Sequence, residues 1–360
     1  MVVNCCKHMK KRHIILSVLI VLVVLAQILS PLGYCYSAIF YPVISWILSG
    51  VSSLIPFSIG DIFITVSIAG LILLPIYYRY KNKTKWKVLL LHDGEYLLWV
   101  YVWFYLAWGL NYSQPHFLRR MQIEPVQYTP VTFNRFINKY VEELNSTYLL
   151  WQKQGGGKNA TKVDVGKEIP LIYRQIGDSL KIHLPQHSYL RPKTMLFSNF
   201  IASVGVSGYM GPFFGEFHLN GYLLPVNYPS VYAHEMAHLL GISSEAEANF
   251  YAYQVCTRSK DASVRFSGYF FVLGYVLRNA RMVMTDAQFD RLKKSIDPAI
   301  KRLYNYHHYY WTALYSPTLG DIQDKLYELY LKGNKIENGQ KNYSQVIGLL
   351  ISYERYKKQI

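Results

Sequence analysis

Three side chains within residues 234–245 have the types and the spacing of a divalent-metal site. His234 and His238 belong to the sequence His-Glu-Met-Ala-His, and residues four apart on a helix project from the same face. Two neutral imidazoles so placed can bind one Zn²⁺. Glu235 then stands beside the open coordination position, where it can take a proton from metal-bound water. We therefore predict His234 and His238 as ligands and Glu235 as the general base of a zinc hydrolase.

A catalytic zinc ion needs a third protein ligand, and two glutamates follow the histidines. Ser244 and Glu247 have the spacing of a capping box, in which the glutamate side chain hydrogen-bonds to the serine backbone N–H. This gives Glu247 a structural role and makes Glu245 the predicted third ligand, with Glu247 as the weaker candidate. Asn249 follows Glu245 by one helical turn, so we predict that its amide orients the ligand.

Turn residues around the motif predict two short consecutive helices. Ser230 is a suitable N-cap for the first helix, and Gly241 suits the left-handed residue that ends a helix. The second helix begins after Ser244 and extends to about residue 258. Ahead of both, residues 195–206 and 216–226 have apolar, β-like patterns between glycines, which predict a small antiparallel sheet before the active-site helix.

Residues 245–249, Glu-Ala-Glu-Ala-Asn, resemble the Glu-x-x-Ala-Asp/Asn element of gluzincin-type metallopeptidases, in which the first glutamate is the third zinc ligand. The spacing differs, since only six residues separate His238 from Glu245 and those peptidases usually insert a longer segment. The chain as a whole is more similar to an uncharacterised family of bacterial membrane proteins, the domain of unknown function 3810. Its members pair three N-terminal spans with a similar motif, and the resemblance extends to residues 108–112 and 342–347.

This resemblance implies a zincin-like domain behind a membrane anchor, but it implies no substrate. In zincins, the strand before the active-site helix borders the cleft and pairs with extended substrate, so residues 216–220 are the predicted edge strand. His218 in that strand is a weak further candidate for a metal or catalytic group.

The N-terminal third of the chain predicts a membrane region. The hydrophobic fraction is 51%, and residues 14–60 contain no Asp, Glu, Lys or Arg. We predict transmembrane helices at about residues 14–33, 62–78 and 88–110, and an interfacial or re-entrant segment at residues 34–60. Residues 1–112 then form the membrane region, and residues 113–360 form an extracytoplasmic domain.

Positive charge supports three spans and one orientation. The net charge is +16, and two basic segments carry much of it. Both segments fall on the cytoplasmic side of a three-span topology, as the positive-inside rule requires. The basic residues are Lys7, Lys10, Lys11, Arg12, Arg79, Lys81, Lys83, Lys85 and Lys87. Because topology and anionic lipid account for this charge, and no nucleic-acid module accompanies it, we predict the lipid bilayer and no nucleic acid as partner. The site would face the periplasm or the outer surface of a bacterial inner membrane.

The remainder of the domain predicts helices and supplies three weak candidates for stabilising a transition state. Helical patterns occupy residues 131–154, 170–180, 262–279, 286–306, 322–332 and 343–353. His307, His308 and Tyr343 lie in or beside these helices and could donate a hydrogen bond to an oxyanion.

The predicted fold is therefore an α-helical anchor of three spans followed by a mostly helical, zincin-like α+β domain. The predicted function is hydrolysis of peptide bonds in envelope proteins or peptides by metal-activated water, with Zn²⁺ and no organic cofactor. Mn²⁺ or Co²⁺ could occupy the same ligands. The alternative is a non-catalytic membrane protein in which a structural metal, or only hydrogen bonds, joins two helices. Proteolysis within the membrane is disfavoured, because polar residues leave too short an apolar stretch around the motif.

Overall fold

α-Helices dominate the computed structural model, and three short strands form one sheet within the residues that it describes, which are 2–126, 129–156, 164–182, 190–334 and 345–358. The chain divides into two units. The first comprises residues 1–114 with 211–216, and the second comprises residues 115–210 with 217–360.

The first unit is built from long apolar helices. The unit also contains a π-helical segment at Tyr36–Phe40 and a 3₁₀ helix at Gly109–Ser113. The helices are α1 (Val2–Ile28), α2 (Ser30–Cys35), α3 (Tyr41–Ser53), α4 (Ile59–Lys81) and α5 (Trp86–Ala107).

Three helical stretches in this unit are long and apolar enough to cross a membrane: Lys11–Ile28, Ser30–Ser53 and Ile59–Lys81. The first and third overlap the spans predicted at about residues 14–33 and 62–78. The second covers most of residues 34–60, which the sequence predicts to be interfacial. The span predicted at residues 88–110 falls largely on α5, where His92, Asp93 and Glu95 lower the hydropathy. The structure is thus compatible with a membrane anchor, and the three-span assignment remains a prediction.

A carboxylate from a distant part of the chain caps the first turn of α4. The backbone N–H groups of Ile59 and Gly60 donate to Glu216 Oε1 and Oε2 at 3.1 and 2.9 Å. Ser58 Oγ accepts from Asp61 N at 2.9 Å. The negative charge of Glu216 interacts favourably with the positive N-terminal end of the α4 dipole. Glu216 therefore holds residues 211–216 against α4.

The second unit contains the remaining helices and the sheet, apart from the strand residues Gly211 and Glu216, which belong to the first unit. Its helices before the sheet are α6 (Phe117–Arg120), α7 (Pro130–Lys153) and α8 (Val165–Gly177), with a 3₁₀ helix at Asp178–Leu180. The sheet region contains β1 (Lys193–Thr194), α9 (Ser198–Ser203), β2 (Gly208–Gly211) and β3 (Glu216–Leu219). Then follow α10 (Tyr228–Leu239), α11 (Glu245–Cys256), α12 (Ala262–Val283), α13 (Asp286–Ser295), α14 (Pro298–Leu314), α15 (Pro317–Gly333) and α16 (Val346–Lys357).

The sheet corrects two details of the sequence-based prediction. Its strand order is β1-β3-β2, and β1 pairs with β3 in parallel, Lys193 opposite His218, so the sheet is mixed rather than antiparallel. Residues 195–206, predicted as a β-like run, contain helix α9, because a short apolar run does not distinguish helix from strand. The chain between β1 and β3 is long enough for the crossover that parallel pairing requires.

Buried tyrosines connect the helices of the second unit to each other through backbone carbonyls. Tyr173 donates to Ala233 O at 2.7 Å and Tyr232 donates to Leu190 O at 2.8 Å. Tyr140 makes the same kind of bond to Tyr269 O at 2.6 Å. A buried phenol needs such a partner, and each bond fixes one helix against another chain segment. Many of the chain's tyrosines therefore belong to the core.

Candidate metal centre

Helix α10 carries the two histidines and is buried on all sides. Its N-cap is Asn227 rather than the predicted Ser230, which lies in the first turn and donates to Asn227 O at 3.0 Å. The predicted stop is confirmed: Gly241 has φ 92°, and Ile242 N bonds to Ala237 O at 3.1 Å. This left-handed turn reverses the chain directly into α11, which brings the start of α11 beside the end of α10.

His234, His238 and Glu245 form a group that could hold a metal ion. The two Nε2 atoms are 3.1 Å apart, and Glu245 Oε2 lies 3.1 Å from that of His234 and 3.4 Å from that of His238. In a tetrahedral site with bonds of about 2.0–2.1 Å, neighbouring ligand atoms are about 3.3 Å apart. The three atoms therefore already have the separations that a tetrahedral ion requires, and the predicted triad is brought together.

The orientation of the His238 ring is fixed by the turn after α10. His238 Nδ1 lies 2.6 Å from Ile242 O. A carbonyl can only accept, so Nδ1 must carry the proton in this bond. In the neutral ring, Nε2 then keeps its lone pair toward the metal position. The His234 ring packs edge-on against Phe271, with centroids 5.9 Å apart.

Glu235 is buried beside the ligand group and lies against the backbone of β2. A Cβ on Gly208 would be 2.5 Å from Glu235 Oε1, so only glycine permits this approach. The other oxygen, Oε2, is buried without a hydrogen-bond partner. Burial raises the pKa of Glu235 to about 7, although the two histidines oppose the shift. A carboxylate with a pKa near neutrality is well suited to accept a proton.

Electrostatics keep a negative charge in the ligand group. Burial alone would raise the pKa of Glu245, but His238 and His234 hold it well below its ordinary value. Burial lowers the pKa of His238, and Glu245 outweighs this effect and raises it to about 9. In the absence of a metal, the buried Glu245 carboxylate is therefore charged and is compensated by a proton on His238, which a bound metal cation would displace.

Two tyrosines from later helices lie near Glu245, the predicted third ligand, and the sequence indicates neither. Tyr327 on α15 donates to Glu245 Oε1 at 2.7 Å. Tyr275 on α12 lies close enough to Glu245 and Asn249 for both to affect its pKa, which burial, the largest cause, raises. Asn249 is buried at this place, and its predicted orienting role stays a prediction. No local sequence signal could have identified tyrosines so far along the chain.

Glu247, the weaker ligand candidate, points away from this group. Its backbone N–H bonds to Ser244 Oγ at 3.4 Å, which is one half of the predicted capping box. Its carboxylate accepts instead from Arg120 Nη2 and Phe117 N, both at 2.8 Å, and lies 3.3 Å from exposed His116. The ion pair between Arg120 and Glu247 joins α6 to α11. Glu245 is therefore the acidic residue of the metal group.

The remaining candidates have other surroundings. His218 is fully buried in β3 and stacks on Tyr209 with centroids 4.4 Å apart. β3 is the central strand, so the predicted edge at residues 216–220 is wrong, and β2 is the edge that reaches Glu235. His307 and His308 line a cavity and do not join the metal group in the part of the chain that the structure describes. Tyr343 lies outside the described residues.

Comparison with known proteins identifies a family of unestablished function. No curated protein matches the chain, and no solved structure does. The model of the family described as protein of unknown function (DUF3810) matches residues 36–351, which include the whole candidate metal centre. Since this match spans most of the sequence, the chain belongs to the DUF3810 family.

Proposed function

We propose that this protein is a membrane-anchored zinc metallopeptidase that cleaves peptide bonds of envelope proteins or peptides. The observation that carries the proposal is the convergence of His234 Nε2, His238 Nε2 and Glu245 Oε2 beside buried Glu235. Two imidazoles and one carboxylate at tetrahedral separations favour zinc over the harder cations, which prefer oxygen ligands.

The residues of the centre have distinct roles in this proposal. A zinc ion supplies a Lewis acid for the peptide carbonyl and lowers the pKa of a bound water. Glu235 accepts the proton of the attacking water through the carboxylate oxygen that has no other partner, and returns it to the leaving amine. Tyr327 holds Glu245 Oε1, so that Oε2 faces the imidazoles. His307 and His308 are retained as predicted donors to the oxyanion.

The number of ligands supports a catalytic rather than a structural ion. Structural zinc sites are closed by four protein ligands, whereas catalytic sites keep one position for water or substrate. Within the described residues, the group contains three ligands. The same observation weighs against a metal that only joins α10 to α11.

Metal analysis of the purified full-length protein in detergent tests the proposal. We expect about one zinc per chain in the wild type and hydrolysis of a quenched fluorescent peptide library that stops with a chelator and returns with zinc. His234→Ala should lose both the metal and the activity, because two remaining ligands bind zinc weakly. A wild-type protein that binds no divalent metal at micromolar concentration would refute the metallopeptidase.

Removal of the Tyr327 hydroxyl is expected to weaken the metal site. Tyr327→Phe deletes the donor to Glu245 Oε1 and should lower zinc affinity about 10–100-fold, the range for partners that orient a ligand. Competition with a fluorescent chelator measures the dissociation constant without reference to activity. Tyr309→Phe, on the exposed surface of α14, is the control and should bind zinc as the wild type does. Equal affinities for all three proteins would contradict this role of Tyr327.

We also propose that the centre faces the outside of the cell, which follows from three spans and a cytoplasmic N-terminus. Alkaline phosphatase fused after residues 33, 56 or 114 should be active, and a fluorescent protein fused after residue 80 should be fluorescent. The fusion at residue 56 is decisive, because it follows the apolar helical stretch Ser30–Ser53. Inactive phosphatase after both residues 56 and 114 would show four spans and a cytoplasmic domain.

A further inference from the structure

A cavity of about 300 Å³ lies next to the metal group and is lined by parts of α10, α12 and α14. Val231 in its wall is one helical turn ahead of His234. Phe271 packs against the His234 ring, and Tyr275 is close enough to Glu245 and Asn249 for both to affect its pKa. Ser207 in the wall precedes Gly208, which contacts Glu235. The cavity is therefore adjacent both to the predicted metal ligands and to the proposed general base, Glu235.

Aromatic and basic side chains line the cavity. Its volume is at the small end of ligand pockets, which suits one side chain rather than a length of peptide. The aromatic members are Phe270, Phe271, Tyr275, Tyr304 and Trp311. The basic members are Arg278, His307 and His308, and none of the described residues that line the cavity is acidic.

Arg278 is the permanently charged cation among the described residues that line this cavity. Its guanidinium lies 4.8 Å from the centroid of the Tyr275 ring, which supports it by a cation–π contact. The described part of the chain gives it no salt bridge, whereas Arg281, one turn later on α12, pairs with Asp286. Burial, and after it the neighbouring His308, lowers the pKa of His307, which disfavours a positive charge on this imidazole. A planar guanidinium without a carboxylate partner is suited to bind a carboxylate with two hydrogen bonds.

We propose that this cavity binds a C-terminal aromatic or large apolar residue of the substrate, with Arg278 binding its free α-carboxylate. The inference rests on the proposed function and makes the protein a peptidase that releases single C-terminal residues. The peptide bond before that residue would then lie at the metal group, because the same helices, α10 and α12, form the cavity and contact the ligands.

Binding to an inactive variant tests the subsite separately from catalysis. The full-length Glu235→Gln protein with zinc is titrated with fluorescent tetrapeptides that end in Phe, as the free acid or the amide, or in Ala as the free acid. We expect the Phe acid to bind about 10-fold or more tightly than either of the others, since only it fills the cavity and pairs with Arg278. Adding Arg278→Gln should abolish the difference between acid and amide, and adding Arg281→Gln, the control, should leave it.

The outcomes separate this inference from the proposed function. Equal affinity for acid and amide, or a preference that persists in the Arg278→Gln protein, would overturn the subsite. If the wild type cleaves amidated peptides as fast as free acids, the subsite fails and the metallopeptidase stands. If the binding preference and its dependence on Arg278 hold while the wild type cleaves no peptide, the subsite stands and the peptidase function fails.

Discussion

Glu235→Gln is expected to keep its zinc and to lose about 10²–10⁴-fold in the rate of peptide hydrolysis, the usual contribution of a general base. Glutamine has nearly the same shape as glutamate and fits under the backbone of Gly208, but its amide cannot accept the proton of the attacking water. The measurement is kcat for a fluorogenic peptide together with metal content, on the same protein preparation.

The comparison of rate with metal content gives this experiment its power. Glu142→Gln, on the exposed face of α7, is the control and should be unchanged in both. Full activity in the Glu235→Gln protein would contradict the role of Glu235 as base. Loss of zinc together with activity would show that Glu235 maintains the site and would leave its proton transfer without support.

Arg120→Met is expected to destabilise the second unit by about 3–5 kcal/mol, independently of any catalytic role. Arg120 and Glu247 are both buried, and removal of the guanidinium leaves the Glu247 carboxylate without its counter-ion. Thermal or denaturant unfolding of the full chain in detergent measures the effect. Lys139→Met is the matched control, since Lys139 pairs with Glu354 at the surface, and its loss should cost about 0–1 kcal/mol. Equal losses in the two variants would refute the buried ion pair as a stabilising contact.

The same pair predicts how stability depends on pH. Burial would raise the pKa of Glu247, but Arg120 outweighs it and holds the pKa below the ordinary value of 4.5. A group with a lowered folded-state pKa stabilises fully above its unfolded pKa and loses this contribution as the pH falls. The wild type should therefore lose stability below about pH 4.5 more steeply than a double variant with Arg120→Met and Glu247→Leu.

Local physics made the metal group predictable from the sequence. Helical periodicity places His234 and His238 on one face, and Gly241 allows the turn that returns the chain at Glu245. The same arguments placed α7, α10 and α11 to within about three residues, because apolar positions or capping residues mark them. Residues 286–306, predicted as one helix, are instead divided between α13 and α14, since Pro298 begins a new helix after Asp297.

Long-range partners were not predictable in this way. Nothing near Tyr327 in the sequence indicates that it reaches Glu245, and nothing near Arg120 indicates that it pairs with Glu247. Strand order also depends on contacts between distant segments, which is why the sequence wrongly predicts β3 as the edge strand and does not indicate that Gly208 lies against Glu235. The first half of α5 shows a further limit, because His92, Asp93 and Glu95 weaken the hydropathy signal without excluding a membrane span.

The closeness of the three ligands in the chain has a consequence for how the protein matures. His234, His238 and Glu245 come from two successive helices, so bringing them together requires closing only a short loop, which costs little chain entropy. Tyr327 must arrive from a helix far downstream. If the group binds an ion, the helical pair could therefore hold it before α15 docks, and the docking of α15, which brings Tyr327 to Glu245, would then strengthen the site.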